Sequence, residues 1–189
     1  LVAENGLWML VAQAKQAAEL FTKTVIPNDK IGAIHRKLKA QMENIVLIGM
    51  PGSGKTRISG MLGKAMGRPV DDADKVLAED AGRAIPEIFA SEGEEYFRRL
   101  ETQTLEKLGK ASGRIIATGG GCVTRERNYP LLHQNGVIVR LVRDLDKLAV
   151  DGRPLSQSKN VYKLYEERKA QYEAFADITV DNNDDPKET

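Results

Sequence analysis

The sequence predicts an α/β fold, in which a five-stranded parallel sheet carries helices on both faces and an extra helix precedes it. Three observations predict this class. Short apolar runs rich in β-branched residues recur from residue 44 onward, helical patterns separate them, and two of the runs end in glycine. Buried parallel strands that lead into a loop have this pattern, and a regular alternation of strands with helices favours a parallel sheet.

Composition excludes several classes of protein. The chain has 189 residues, of which 41% are hydrophobic and 29% charged, and its net charge of +1 gives no bulk attraction to nucleic acid or to a membrane. The single cysteine, Cys122, cannot form an internal disulfide framework or a cysteine-rich zinc site. No apolar run is long enough to span a bilayer. We therefore expect a cytoplasmic protein with neither nucleic-acid nor membrane partners.

The first element is an amphipathic helix. Apolar residues recur on one helical face at Leu7, Leu10, Val11, Ala14, Ala17, Ala18 and Phe21. We expect this helix to pack on the domain that follows residue 42 or on a second copy of itself. Residues 25–41 contain Pro27, Asn28 and Gly32 and then a basic stretch, which predicts a linker with room for a short helix.

From residue 42 strands alternate with helices. Strands are predicted at 44–49, 68–74, 114–121, 136–142 and 177–181, and helices at 54–66, 74–80, 84–91, 93–110, 124–134 and 160–175. Ligands of such sheets bind beyond the carboxyl ends of the strands. Three predicted strands end there in Gly49, in Asp72 with Asp74, and in Gly119 to Gly121. We therefore expect the site along that edge.

The stretch "IGMPGSGKT", residues 48–56, matches the phosphate-loop pattern G-x-x-x-x-G-K-[ST]. Glycines let backbone N–H groups wrap a phosphate, Lys55 is expected to reach the β- and γ-phosphates, and the Thr56 hydroxyl to bind Mg²⁺. An ordinary glycine-rich turn is the simpler alternative. The predicted nucleotide-binding residues here are Gly49, Gly52, Ser53, Gly54, Lys55, Thr56 and Arg57.

Two carboxylates leave the second strand two residues apart. If the backbone is still extended, Asp72 and Asp74 face the same way. We expect Asp72 to hold the metal through water and Asp74 to accept a proton from an alcohol. The alternative is that these residues only cap the helix that begins near Asp74.

Three arginines are candidates for binding an anion. Arg98 has Glu101 one helical turn away, and this carboxylate can orient its guanidinium. Arg153 lies in the loop "DGRPLSQS", which could close over the transferring phosphoryl group; an incidental surface arginine is the alternative. For Arg168 the default is a surface ion pair with its acidic neighbours.

The stretch "ATGGGCV" is unusually rich in glycine. A tight turn needs fewer than three glycines, so we expect a substrate to lie against bare backbone here. The adjacent Cys122 is expected to be a small buried residue and not a nucleophile.

The segments "GMPGSGKT", "DDAD", "IPEIFASEGEEYFRRLE", "ATGGGCV", "GRPLS" and "YEERKAQYEAFAD" resemble, in this order, those of shikimate kinase. The resemblance covers about residues 42–181. It implies a P-loop kinase related to nucleoside monophosphate kinases, which transfers the γ-phosphoryl group of ATP to the 3-hydroxyl of shikimate. The products would be shikimate 3-phosphate and ADP, in aromatic amino-acid (chorismate) biosynthesis, with Mg²⁺ as cofactor.

The same resemblance implies roles for individual residues. Asp74 would contact the ring hydroxyls and act as base, Arg98 and Arg168 would bind the substrate carboxylate, and Arg153 would be the lid arginine that contacts phosphate and substrate. Backbone N–H groups of Gly120 and Gly121 would bind a ring hydroxyl. The catalytic set is thus Lys55, Asp74 and Arg153.

The chain departs from the family in one place. Members usually carry a longer lid and, before it, an arginine that stacks on adenine. Here "RDLDKLAVDGRPL" is short and has Lys147 and Leu148 instead.

Residues 6–27, "GLWMLVAQAKQAAELFTKTVIP", resemble the last helix of shikimate dehydrogenase, with Gln13 at the position of a substrate-contacting glutamine. This implies a covalent fusion of dehydrogenase and kinase. The expected domains are a leftover dehydrogenase helix at 1–24, a linker at 25–41, the kinase at 42–183 and a tail at 184–189.

Two other functions remain open from the sequence. One is a different small-molecule or nucleoside monophosphate kinase of the P-loop class. The other is a catalytically silent nucleotide-binding module, which the short lid favours.

Overall fold

The structure is a computed structural model that describes residues 6–148 and 161–184. Arg153, the arginine expected in the lid, lies outside the described residues. The chain divides into two compact units between Glu43 and Asn44. No helix among the described residues is both long and apolar enough to cross a membrane.

The N-terminal unit is a pair of helices, α1 (Leu7–Thr22) and α2 (Asp29–Met42). Their apolar residues line a groove of about 320 Å³, to which α2 contributes Ile31, Ile34 and Leu38. The stretch expected to be a linker is therefore mostly helix. Pro27 precedes α2 and Gly32 lies in its first turn, where they do not interrupt the amphipathic pattern that follows. Part of the apolar face of α1 is covered by α2, which the sequence analysis did not consider.

The second unit is built on five strands: β1 (Asn44–Ile48), β2 (Val70–Asp72), β3 (Ile115–Ala117), β4 (Gly136–Val142) and β5 (Ile178–Asp181). They form one sheet in the order β2-β3-β1-β4-β5, and every neighbouring pair is parallel. The predicted fold class is confirmed. The strand order, which the periodicity of the sequence does not reveal, places β1 in the centre.

Helices cover both faces of the sheet. They are α3 (Lys55–Met66), α4 (Ala73–Ala81), α5 (Ile85–Gly109), α6 (Asn128–His133) and α7 (Val161–Phe175). Side chains alternate along β1, so Val46 and Ile48 enter the larger core with Tyr172, while Leu47 packs with Ile58 on the opposite face. This two-sided burial explains why the strand is apolar throughout.

The break predicted between the helices 84–91 and 93–110 is confirmed, and the helix predicted at 124–134 differs in detail. Element α5 runs from Ile85 to Gly109, but its backbone is non-helical at Gly93, where φ is 81°, and it kinks there. The helix predicted at 124–134 is shorter, because Cys122–Thr124 forms a 3₁₀ turn and α6 begins at Asn128. The kink lets the first part of α5 approach the carboxyl edge of the sheet.

Candidate active site

A cavity of about 390 Å³ lies at the carboxyl edge of the sheet, and one wall of it is the phosphate loop. Positive φ values of 86° at Gly52 and 94° at Gly54 form the loop, and α3 begins directly after it. The first N–H groups of a helix have no acceptors within the helix, so this end attracts anions. The loop residues that line the cavity are Gly52, Gly54, Lys55, Thr56 and Arg57.

Two predicted loop residues do not line the cavity. Gly49 lies behind the loop with φ of 146°, and a methyl group on it would approach the Leu141 carbonyl oxygen to 2.5 Å. Ser53 is fully buried, and its hydroxyl has no hydrogen-bond partner among residues 6–148 and 161–184. Both residues shape the loop from behind and do not face the cavity.

Lys55 is held inside the phosphate loop. It is 8% exposed, and its ammonium group donates to the carbonyl oxygens of Gly49 and Met50, at 2.9 Å each. These bonds keep the charge beside the loop, where a phosphate would neutralise it.

Asp72 makes a contact for each of its two predicted roles, at the metal site and as a helix cap. Its Oδ1 accepts from the backbone N–H of Lys75 and caps α4, while its Oδ2 accepts from the Thr56 hydroxyl at 3.0 Å. The strand ends at Asp72, so the extended-backbone argument for Asp74 does not apply. Asp74 lies in the first turn of α4, and the helix start turns both residues into the same cavity wall.

Arg98 is almost completely buried in the kinked helix α5. Its Nη1 donates to Glu101 at 2.8 Å and its Nη2 to Glu94 at 3.2 Å, and its guanidinium lies over the Phe97 ring. Burial raises the pKa of Glu101, against the opposing effect of Arg98, and no donor in the described part of the chain reaches the second oxygen of Glu101. A carboxylate oxygen without a donor and the Arg98 guanidinium thus face one cavity.

Arg168 is buried as well and is not the surface ion pair that its acidic neighbours suggested. Its Nη1 donates to the carbonyl oxygen of Gly120 at 2.9 Å, and the Tyr172 hydroxyl donates to the same oxygen. Helix α7 therefore brings a second guanidinium to the cavity that Arg98 lines.

The three consecutive glycines make room for side chains of the cavity. A methyl group on Gly119 would lie 2.7 Å from Oδ1 of Asp74, and one on Gly120 would lie 2.7 Å from the Pro51 ring. A methyl group on Gly121 would overlap the Arg98 guanidinium. Within the described part of the chain, the amides of Gly120 and Gly121 donate to no acceptor.

Cys122 is not a nucleophile of this site. Its side chain is fully buried, and burial raises the pKa of the thiol to about 12. A thiol in that state is protonated at neutral pH and has no access to a ligand.

The cavity has further walls that the sequence analysis did not assign. Ile85, Pro86, Phe89 and Phe97 supply an apolar side from α5, and Thr118 with Glu101 supplies polar groups. The spacing of Ile85, Phe89 and Phe97 on one helix was the available signal. It could not be interpreted without knowing in which direction the chain bends at Gly93.

Comparisons with known proteins identify one family. The profile of the family described as shikimate kinase matches residues 51–189. A shikimate kinase of Synechococcus elongatus is 38% identical over 155 residues, which are 77% of this chain and 82% of that protein. One from Geobacter sulfurreducens is 40% identical over 147 residues, which are 73% and 81% of the two chains.

Solved structures give the same result. A shikimate kinase from Acinetobacter baumannii in complex with shikimate is similar with a TM-score of 0.73 and 32% identity, over 79% of this chain and 89% of that one. The Aquifex aeolicus shikimate kinase has a TM-score of 0.67 and 31% identity, over 77% and 90% of the two chains.

Proposed function

The chain belongs to the shikimate kinase family and is a kinase that phosphorylates shikimate with ATP, and on this premise we propose how its residues divide the work. One observation carries the assignment. Two buried guanidinium groups from separate helices, Arg98 and Arg168, line the cavity that also holds Lys55 and Asp74. Such a cavity suits a small hydroxylated acid beside a polyphosphate.

The acceptor lies on the α5 and α7 side of the cavity. Arg98 and Arg168 bind the shikimate carboxylate, and the free amides of Gly120 and Gly121 donate to a ring hydroxyl. Asp74 accepts from the ring hydroxyls, and the apolar side formed by Phe89 and Phe97 packs against the ring. Binding at both ends fixes the orientation of the ring, which is the main contribution that a protein makes to phosphoryl transfer.

In the transfer itself, the 3-hydroxyl oxygen attacks the γ-phosphorus of ATP as its proton passes to Asp74. The bond between the γ-phosphorus and the bridging oxygen breaks, and ADP leaves. Lys55 neutralises negative charge on the β- and γ-phosphates, and the N-terminus of α3 stabilises the same negative charge further. We assign the lid contact to Arg153.

We propose that Mg²⁺ binds at Thr56 and Asp72. The two side-chain oxygens lie 3.0 Å apart at the loop, and oxygen ligands suit this ion. The described residues contain no cluster of three or more acidic, histidine or cysteine side chains that could hold a metal ion. Mg²⁺ does not need one, because it commonly binds one or two protein oxygens together with phosphates and water. The ion would neutralise phosphate charge.

We further propose that residues 6–27 derive from a shikimate dehydrogenase fused ahead of the kinase, with the kinase unit beginning at Asn44 and α2 standing where a linker was expected. The resemblance around Gln13 is the support. Reading the gene upstream of the codon for Leu1 tests it: a dehydrogenase reading frame in phase is expected, and an unrelated or absent frame would contradict the fusion. We also propose a cytoplasmic location, because the reaction consumes ATP and the lone thiol needs no oxidising compartment.

The activity is tested by coupled ADP release with shikimate, gluconate and nucleoside monophosphates as acceptors. Of these acceptors, only shikimate is expected to give ADP release. Lys55→Met should abolish it, whereas Lys64→Met, at an exposed position of the same helix, should not. Turnover with another acceptor only, or none with any, would contradict the assignment.

A further inference from the structure

The direction in which the nucleotide extends follows from the strand order, given the proposed function. The phosphate loop follows the central strand β1, and the acceptor groups stand at the ends of β2 and β3. The attacking and leaving oxygens lie on opposite sides of the γ-phosphorus. The nucleoside half of ATP therefore extends the other way, over the ends of β4 and β5.

An arginine stands at that side of the loop. Arg143 is the first residue after β4, and its Nη1 lies 4.0 Å from the position that a Cβ atom on Gly54 would occupy. Asn182, the first residue after β5, donates to the backbone oxygen of Ser53 at 2.7 Å and fixes this edge of the loop. The guanidinium group thus lies beside the start of α3.

The charge of Arg143 has no partner in the described part of the chain. No carboxylate lies within 4.0 Å of it, and its Nε is buried without an acceptor. Nearby carboxylates are already engaged, since Asp144 pairs with Lys147 and Asp181 accepts from Asn183. Leaving a partly buried cation unpaired costs free energy, and an anionic ligand would remove that cost.

The three buried arginines described in this unit, in contrast to the partly buried Arg143, do have acceptors. Arg98 is paired with Glu101, Arg140 with Glu173, and Arg168 with the Gly120 carbonyl oxygen. Arg143 is the exception, and it lies where the nucleotide passes.

We propose that Arg143 is a positioning residue for the donor and that its guanidinium binds the α-phosphate of ATP. The β- and γ-phosphates lie further into the cavity, beside Lys55 and Thr56, so the α-phosphate is the charge nearest to the β4 side of Gly54. In "RDLDKL", the next cation is Lys147, which is already paired with Asp144. Arg143 therefore holds the phosphate that joins the nucleoside to the transferred group.

The test combines kinetics with direct binding. Arg143→Gln is expected to raise the KM for ATP and the Kd for ADP about 10-fold or more, because a charge-assisted hydrogen bond is lost. The KM for shikimate should stay within twofold of the wild-type value. Arg143→Lys should restore part of the affinity. Adenosine, which lacks phosphate, should bind the wild type and Arg143→Gln equally. Arg99→Gln, at an exposed arginine of α5 outside the cavity, is the matched control and should change none of these constants.

Two results would overturn the proposal. One is an unchanged Kd for ADP in a folded Arg143→Gln variant. The other is a loss of adenosine affinity as large as the loss of ADP affinity, because the contact would then be to the nucleoside. Circular dichroism establishes that the variant is folded. If the wild type binds ADP but does not phosphorylate shikimate, the proposed function fails separately, and the ADP measurement still decides the role of Arg143.

Discussion

Nη1 of Arg98 lies 2.8 Å from Oε2 of Glu101, and both side chains are almost completely buried. The pair is one helical turn apart on α5, so the carboxylate fixes the guanidinium in the cavity wall before any ligand binds. A preorganised guanidinium loses little entropy on binding a carboxylate, which favours the proposed binding of an acid at this position.

The first prediction concerns Arg98→Ala. We expect the Kd for shikimate, measured by calorimetry, to rise about 10- to 150-fold, which corresponds to a lost charge-assisted hydrogen bond of about 1.5 to 3 kcal/mol. The Kd for ADP should change less than twofold. Arg99→Ala, at the exposed neighbouring position, should alter neither. Equal losses for both ligands would show that Arg98 does not act at the acceptor.

The second prediction uses the glycine triplet. Gly121→Ala should displace the Arg98 guanidinium, because the added methyl group would occupy its position, while φ of −104° at residue 121 suits alanine. Shikimate affinity should fall at least about 10-fold, and ADP affinity should persist.

Gly60→Ala is the control for that change. Gly60 is inside α3, and apart from the backbone of its own helix no atom of the described residues lies within 4 Å of its Cβ position, so the substitution should stabilise the protein by about 0.5 to 1 kcal/mol in urea unfolding. If Gly121→Ala bound shikimate as the wild type does, the side-chain explanation for this glycine would be wrong.

The third prediction separates the two contacts of Asp72. Asp72→Asn keeps an oxygen that can cap α4 but removes the charge, so unfolding free energy should stay nearly constant while the Mg²⁺ concentration for half-maximal activity rises. Asp72→Ala also loses the helix cap, so its free energy of unfolding should fall by a further amount of about 0.5 to 2 kcal/mol. An unchanged Mg²⁺ requirement in both variants would remove Asp72 from the metal site.

The fourth prediction follows from the buried thiol. The pKa of Cys122 is raised from 9.0 to about 12, so above pH 9 the unfolded chain loses a proton that the folded chain retains. The contribution of this group to stability is therefore complete below pH 9 and is lost as pH rises, at about 1.4 kcal/mol per pH unit. Compared with Cys122→Ala by urea unfolding, the wild type should lose stability faster between pH 9 and pH 10.

Thiol labelling checks the same burial independently. At pH 8 a thiol reagent should modify Cys122 only in denaturant. Rapid stoichiometric labelling of the native protein would contradict both the burial and the raised pKa.

Local patterns determined much of this protein. The anion cradle is formed by consecutive backbone N–H groups, so "GMPGSGKT" specifies it without distant residues. Hydrophobic periodicity likewise predicts the strands and α3, α4, α5 and α7, since each is a property of a short stretch. Resemblance supplied the proposed acceptor role of Arg98 and Arg168: the position of Glu101 had already singled out Arg98, whereas the acidic neighbours of Arg168 alone favoured an exposed helix surface.

Only the tertiary structure decided which residues meet. The order β2-β3-β1-β4-β5 places the acceptor groups on one side of the phosphate loop and Arg143 on the other, and strand order is not contained in local periodicity. The glycine triplet is a second case that local sequence could not decide. Its composition indicated exposed backbone, but the space beside each glycine is occupied by a residue from another element: Asp74, Pro51 or Arg98. Pairing between α1 and α2 also requires the folded chain, because an amphipathic face does not specify its partner.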